Sequence, residues 1–123
     1  MKEDLIIEMG EEKGIFTVHD ERDALTFETP VLEQVEYISP SVKEYVAQAN
    51  KDRYLSAQGL FIDFEDNTFY LRGSWDFLGI GAEEFDRLLI FLQENASEIK
   101  EALYKACCQD LVYMVANKAY AQN

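Results

Sequence analysis

Residues 59–73 constrain the fold of this chain more than any other stretch. Between Gly59 and Gly73, Leu60, Ile62 and Phe64 alternate with Phe61, Asp63 and Glu65, and after Asp66-Asn67 the alternation resumes in Thr68-Phe69-Tyr70-Leu71-Arg72. A period of two sends successive side chains to opposite faces of a strand. Aspartate and asparagine both tolerate positive φ, which a two-residue type I′ turn demands of its central residues. Such a turn fixes the register. Phe64 then faces Phe69 and Ile62 faces Leu71 on the buried side, while Phe61 faces Arg72 and Asp63 faces Tyr70 on the other.

The N-terminal third carries the same kind of signal. Leu5, Ile7 and Met9 alternate with Ile6 and Glu8, and the glycine-bracketed stretch Gly10–Gly14 predicts a turn. Ile15-Phe16-Thr17-Val18-His19 reads as a second strand. Asp20–Asp23 reads as another turn, and Leu25-Thr26-Phe27-Glu28 as a third strand that ends near Pro30. Residues 31–58 read as a mixed or helical segment, in which Val31–Ile38 fits helical spacing about as well as alternation. Ser41 is expected to cap a helix from Val42 to about Lys51, with Glu44 completing a capping box. Beyond Gly81 the apolar positions Phe85, Leu88, Leu89, Leu92 and Ala96 repeat with helical spacing. Asn95-Ala96-Ser97-Glu98 resembles a new cap, so a break is expected there, followed by a last helix to about Tyr120.

These elements predict one α+β domain over residues 1–123. It comprises an acidic antiparallel β-meander (1–30), the mixed segment (31–58), a central hairpin (59–73) and two or three C-terminal helices (82–121) packed against it. With 48% apolar residues, seven tyrosines and eight phenylalanines, the chain can fill a core without metals or disulfides. Cys107 and Cys108 are adjacent on a predicted helix, where side chains diverge by about 100°. They read as free thiols used as core filler, which suits a reducing compartment. The apolar run Leu5-Ile6-Ile7 is too short for a signal peptide, and no stretch reaches the roughly 20 residues of a membrane span. A cytoplasmic protein with no membrane association is the expectation.

Catalysis finds little support in the residue types. His19 is the single histidine, and no serine, cysteine or lysine stands in a nucleophile setting. Gly79-Ile80-Gly81 precedes a helix, but Glu83 and Glu84 follow where a phosphate-binding lysine would be wanted. Acidic turns such as Asp20–Asp23 lack the ligand spacing of a calcium loop. No catalytic residue, metal site or cofactor is expected.

Charge points elsewhere. The formal net charge is −13, and residues 1–36 hold eleven Asp/Glu against three Lys/Arg, a net of −8. This balance disfavours direct binding to nucleic acid or to anionic lipid and favours a basic protein partner, one that itself binds nucleic acid being the natural target. By analogy of size and charge, the chain is expected to act as a non-enzymatic inhibitor in the style of phage anti-restriction and anti-CRISPR proteins or toxin-immunity proteins. Glu8, Glu11, Glu12, Glu21 and Glu28 are the expected partner-binding residues. The alternative is a small-molecule-binding or enzymatic domain with a pocket near Trp75, Phe77 and Tyr104. In the last helix, Leu103, Ala106, Cys107, Leu111 and Met114 form a buried stripe. On the far side, Glu98, Glu101 and Lys105 give way to Val112 and Ala116, flanked by Tyr113 and Tyr120. That change predicts a homodimer interface at Val112, Tyr113, Ala116 and Tyr120.

Overall fold

The hairpin forms in the register that its alternation dictates. In the computed structural model, which describes residues 2–9, 12–76 and 78–121, strands β4 (Leu60–Glu65) and β5 (Thr68–Asp76) pair antiparallel. Phe64 lies opposite Phe69, Ile62 opposite Leu71, Phe61 opposite Arg72 and Asp63 opposite Tyr70. Asp66 and Asn67 both take positive φ, 51° and 59°, as the I′ turn requires. Ile62, Phe69 and Leu71 are buried. Phe64, expected to be buried with them, remains exposed. It stands at the turn end of the strand, where its ring packs on Phe69 with centroids 4.7 Å apart.

Strands β1 (Lys2–Met9), β2 (Glu12–His19) and β3 (Ala24–Leu32) form the predicted meander. The whole sheet is antiparallel in the order β1-β2-β3-β5-β4. Pairing at the first turn is tighter than expected: Met9 faces Glu12 and Ile7 faces Gly14, so Glu12, Lys13 and Gly14 belong to the strand. β3 also outruns its predicted end. β2 pairs with it no farther than Glu28, so Pro30 lies where one side of β3 is uncovered and its missing N–H interrupts no ladder on that side. The register with β5 shifts between Pro30 and Leu32.

Residues 33–39 lead to α1 (Pro40–Lys51) and the short α2 (Arg53–Ser56). One helix, α3 (Ala82–Ala121), makes up the rest, with no break at Asn95–Glu98. The predicted cap fails because the buried stripe runs straight through it: Leu88, Leu92, Ala96, Ile99 and Leu103 are all buried. Asn95 turns its amide inward and donates to the Phe91 carbonyl one turn back (2.9 Å), and no glycine or proline occurs between 82 and 121. The helices cover one face of the sheet. Their buried side chains, with Val42 of α1 and Leu55 of α2, meet Phe16, Leu25, Phe27, Val31, Leu60, Ile62, Phe69 and Leu71 in one continuous core. The stripe on α3 fades at half-buried Ala106 and Cys107, and Leu111, expected to continue it, is exposed.

Two long-range contacts lock this arrangement. The Trp75 indole donates to the Gln58 carbonyl (3.1 Å) and lies against Gly59 and Gly73, where an added Cβ would come within 2.4 Å of the ring. Gly59 also takes φ 77°, as the chain leaves α2 for β4. At the other end, the start of α1 is held from α3. The N-cap residue is Ser39, with Pro40 in the first turn, and the Ser39 side chain makes no capping bond. Ser41, expected to be that cap, instead donates from its hydroxyl and its backbone N–H to Asp110 (2.5 and 2.7 Å). A carboxylate delivered from α3 thus satisfies an orphan N–H of α1 and faces the positive end of its dipole.

Asp110 is held below its ordinary pKa. The Ser39 hydroxyl faces it, without a hydrogen bond of full geometry, and the Ser41 hydroxyl and N–H bond to it. Because the folded-state pKa is depressed, the stability this group adds is present above the ordinary aspartate value of about 3.9 and is lost as pH falls through the lowered one. Thermal melts between about pH 5 and pH 2 should show wild type losing more stability than Asp110→Asn, with the two curves converging at the acid end. Gly73→Ala should expel the Trp75 ring and destabilise the fold by about 1–3 kcal/mol, the usual cost of overpacking. Chemical denaturation followed by Trp75 fluorescence would report both effects.

Candidate partner-binding surface

With the helices on one face, the opposite face of the sheet is open. Ile6, Ile15, Glu28, Arg72 and Phe61 stand in one row across all five strands. Ile6, Ile15 and Phe61 are exposed at 61%, 43% and 43%, so the row has apolar shoulders and a charged centre. Arg72 bonds Glu28 through Nε (3.0 Å) and Asp63 and Glu65 through one terminal nitrogen (2.8 and 3.2 Å), and its guanidinium lies 4.4 Å from the Tyr70 ring centre. Burial acts to lower its pKa, but Asp63, Glu28 and Glu65 prevail and raise it above the ordinary arginine value.

A hollow of about 540 Å³ on this face holds the side chains most suggestive of chemistry. All are paired with one another. His19 is buried and its Nε2 meets Thr26 Oγ1 at 3.0 Å, and Thr17 donates to Asp4 (2.8 Å). With His19 bonded to Thr26 and Thr17 to Asp4, the group reads as a satisfied polar floor. A second groove, about 570 Å³, runs beside Trp75 and is lined by Gln58, Ile80, Glu84 and Arg87. Tyr104, expected to join Trp75, is exposed on α3 and does not line it, and Phe77 lies outside the described residues. Among the described residues no cluster of three His, Cys, Asp or Glu could hold a metal ion, and no helix is long and apolar enough to cross a membrane.

The two sheet edges are treated differently. On the outer side of β4, the Asn50 amide accepts from the Ile62 N–H (2.7 Å) and donates to the Ile62 carbonyl (2.9 Å). One side chain of α1 thereby occupies the outward N–H and carbonyl at the middle of β4, where another strand would pair. β1 has no strand on its outer side. It is flanked by apolar surface above and below. Leu5, 52% exposed, borders a groove of about 360 Å³ with Phe16, Val18, Leu25, Ile80 and Phe85, and Ile6 and Ile15 form a ledge on the open face.

The expected partner-binding carboxylates are spread along this region. Glu8 lies on β1 and is exposed, and Glu21 lies in the 3-10 turn after β2, at the far end of the hairpin. Glu28 is tied to Arg72 at the centre of the sheet. Glu11 lies outside the described residues, and for Glu12 only the backbone, in β2, is described. Sequence reasoning weighed charge and missed the β1 edge; three consecutive apolar residues, Leu5-Ile6-Ile7, of which Leu5 and Ile6 are exposed, were the available signal.

A five-stranded antiparallel sheet in the order β1-β2-β3-β5-β4, with a long C-terminal helix against one face, defines the class of fold, and solved structures share it. The chain is similar to one from the ExsC–ExsE complex (16% identity, TM-score 0.61, covering 83% of this chain and 75% of that one). It is also similar to a chain of the heterodimeric ExoU–SpcU complex from the type III secretion system of Pseudomonas aeruginosa (14% identity, TM-score 0.63, covering 80% and 81%). A third likeness is to the HopA1–SchA chaperone–effector complex (14% identity, TM-score 0.58, covering 81% and 75%). At these identities the likeness is one of fold. No protein-family model and no curated protein sequence matches the chain.

Asn50→Ala should leave the Ile62 N–H and carbonyl without partners and lower stability by about 1–3 kcal/mol. Hydrogen exchange should show the Ile62 amide losing protection, with the β1 amides unchanged.

Proposed function

We propose that this protein is a binding module of the secretion-chaperone kind, which holds an extended segment of a partner protein and performs no chemistry of its own. The observation that carries this reading is the asymmetry of the sheet edges: β4 is sealed by Asn50, and β1 is open between two apolar ledges. A segment added beside β1 gains backbone hydrogen bonds along its length and can set alternate side chains into the Leu5–Phe85 groove and onto Ile6 and Ile15. The surrounding acid, Glu3, Asp4 and Glu8 on β1 itself, favours a segment with basic residues among its apolar ones. The likeness to chains that form complexes with other proteins supports the same reading. The narrower expectation, a carboxylate array that imitates phosphate, gains nothing from these likenesses. The described carboxylates are dispersed, and Glu28 is engaged within the sheet.

The test is capture of partners from the native host at low and high salt, followed by binding measurements on the purified pair. Leu5→Asn with Ile6→Asn should weaken binding about 100-fold or more, since each buried aliphatic side chain contributes about 1.5 kcal/mol or more. Reversal of Glu8, Glu11 and Glu12 to Lys should weaken it further and flatten its salt dependence. Bound partner should protect the β1 amides from exchange. A partner that binds both variants as tightly as wild type, or leaves β1 unprotected, would remove the edge from the account.

A further inference from the structure

We infer that the pocket between α1 and α3 receives one lysine or arginine side chain of the bound partner, an inference that rests on the reading of this protein as a binding module. The pocket holds about 210 Å³, below the roughly 300 Å³ at which small-molecule sites begin and enough for a single long side chain. Buried Leu55 and Ile99, with Ala49, give it an apolar floor, and Tyr45, Tyr54 and Asp52 stand around that floor. It meets α3 at Ile99. Farther along the helix, Val112 and Ala116 of the expected homodimer face are exposed, and for Tyr113 and Tyr120 only the backbone is described.

The two tyrosines are set in place by this chain alone. Tyr54 donates from its hydroxyl to the Asn95 carboxamide oxygen. Its ring packs on Phe91 with centroids 5.1 Å apart, and its backbone N–H donates to Asp52 (3.3 Å). Tyr45 is half-buried against the core. Its hydroxyl bonds to no other group among the described residues, so its oxygen is free to accept from an incoming N–H. An apolar floor beside two phenol rings suits an alkyl stem that ends in a cation. The stem lies on apolar surface, and the charge gains from the aromatic rings.

Charge selects the cation. Glu94 and Glu98 are exposed and stand four residues apart on α3, so they are neighbours on one helix face. Both phenols feel them. Burial, then Tyr54 and Glu98, push the Tyr45 hydroxyl pKa up; burial, then Glu98 and Glu94, do the same for Tyr54. Asp52 adds a third carboxylate at the rim. Lys51 and Arg53 flank Asp52 in sequence, yet among the described residues no ion pair reaches Asp52, Glu94 or Glu98. Like charges at this helical spacing repel, and a cation seated among them relieves the repulsion. The pocket lies on the β4 side of the sheet, where α1 bonds Ile62, and β1 is the opposite edge. Four strand spacings make about 19 Å, so a segment paired at β1 needs at least about six further extended residues to reach it.

Amide spectra of the full chain, titrated with n-butylammonium and with its neutral isostere 1-butanol, test the pocket without any partner. Butylammonium should shift the amides of residues 45–55 and of Ile99 saturably, with a dissociation constant on the order of 10 mM. 1-Butanol should bind there at least about 5-fold more weakly. Glu94→Gln with Glu98→Gln, at exposed helical positions, should erase that difference without lowering the thermal midpoint. The same variant should weaken binding of a captured partner about 10-fold while β1 keeps its protection from exchange. Shifts that never saturate, 1-butanol bound as tightly as the cation, or a partner that binds the variant as tightly as wild type would each overturn the inference, the second by making the pocket a seat for an apolar side chain. Loss of β1 protection alone, with the pocket behaving as stated, would remove the edge from the account and leave the pocket in it.

Discussion

The structure depends on burying one face of a five-stranded sheet under its three helices. Phe16, Phe27 and Leu71 from the sheet and Leu92 and Leu103 from α3 are at most 2% exposed. Burial of such side chains, at about 1.5–3 kcal/mol each, is the largest favourable contribution available to a chain with free cysteines and no described metal cluster. The stripe of α3 has to run unbroken across the sheet, which is why the helix ignores the capping pattern at residues 95–98. A local cap is worth about 1 kcal/mol, less than the burial of Ala96 and Ile99 together.

One-sided burial has two consequences. It leaves the other face to be stabilised by its own cross-strand pairs, and Arg72 supplies the centre by bonding three carboxylates on two neighbouring strands. Those acids are about half exposed, so each pair contributes modestly; removing Arg72 would matter more, because it would leave Glu28, Asp63 and Glu65 facing one another. One-sided burial also leaves two sheet edges to be managed. Asn50 closes one, and the other carries apolar residues on both of its faces.

Much of this was legible in the sequence. The 59–73 hairpin was fixed to the residue, since Asp66-Asn67 admits one turn type and that turn admits one register. The meander and the helical spacing of Leu88, Leu92 and Ala96 were equally plain, because periods of two and 3.6 are properties of the chain itself. His19, Ile15 and Thr17 share a strand face as the alternation requires. The acidity of residues 1–36 was visible too, though not which carboxylates pair within the sheet.

What only tertiary structure decided concerns groups distant in sequence. Asp110 caps α1 from 69 residues away, displacing the capping box that Ser41 and Glu44 spelled out locally. Asn50 seals β4, Trp75 requires glycine at both 59 and 73, and Phe64 emerges from the core because the strand outruns its cover. The sequence determined which faces are apolar, since side-chain chemistry and backbone period are local. Which apolar faces find cover is a matter of geometry between elements: α3 continues past the sheet, so Leu111, Val112 and Val115 stay exposed, and β1 lies at an edge, so Leu5 and Ile6 do too.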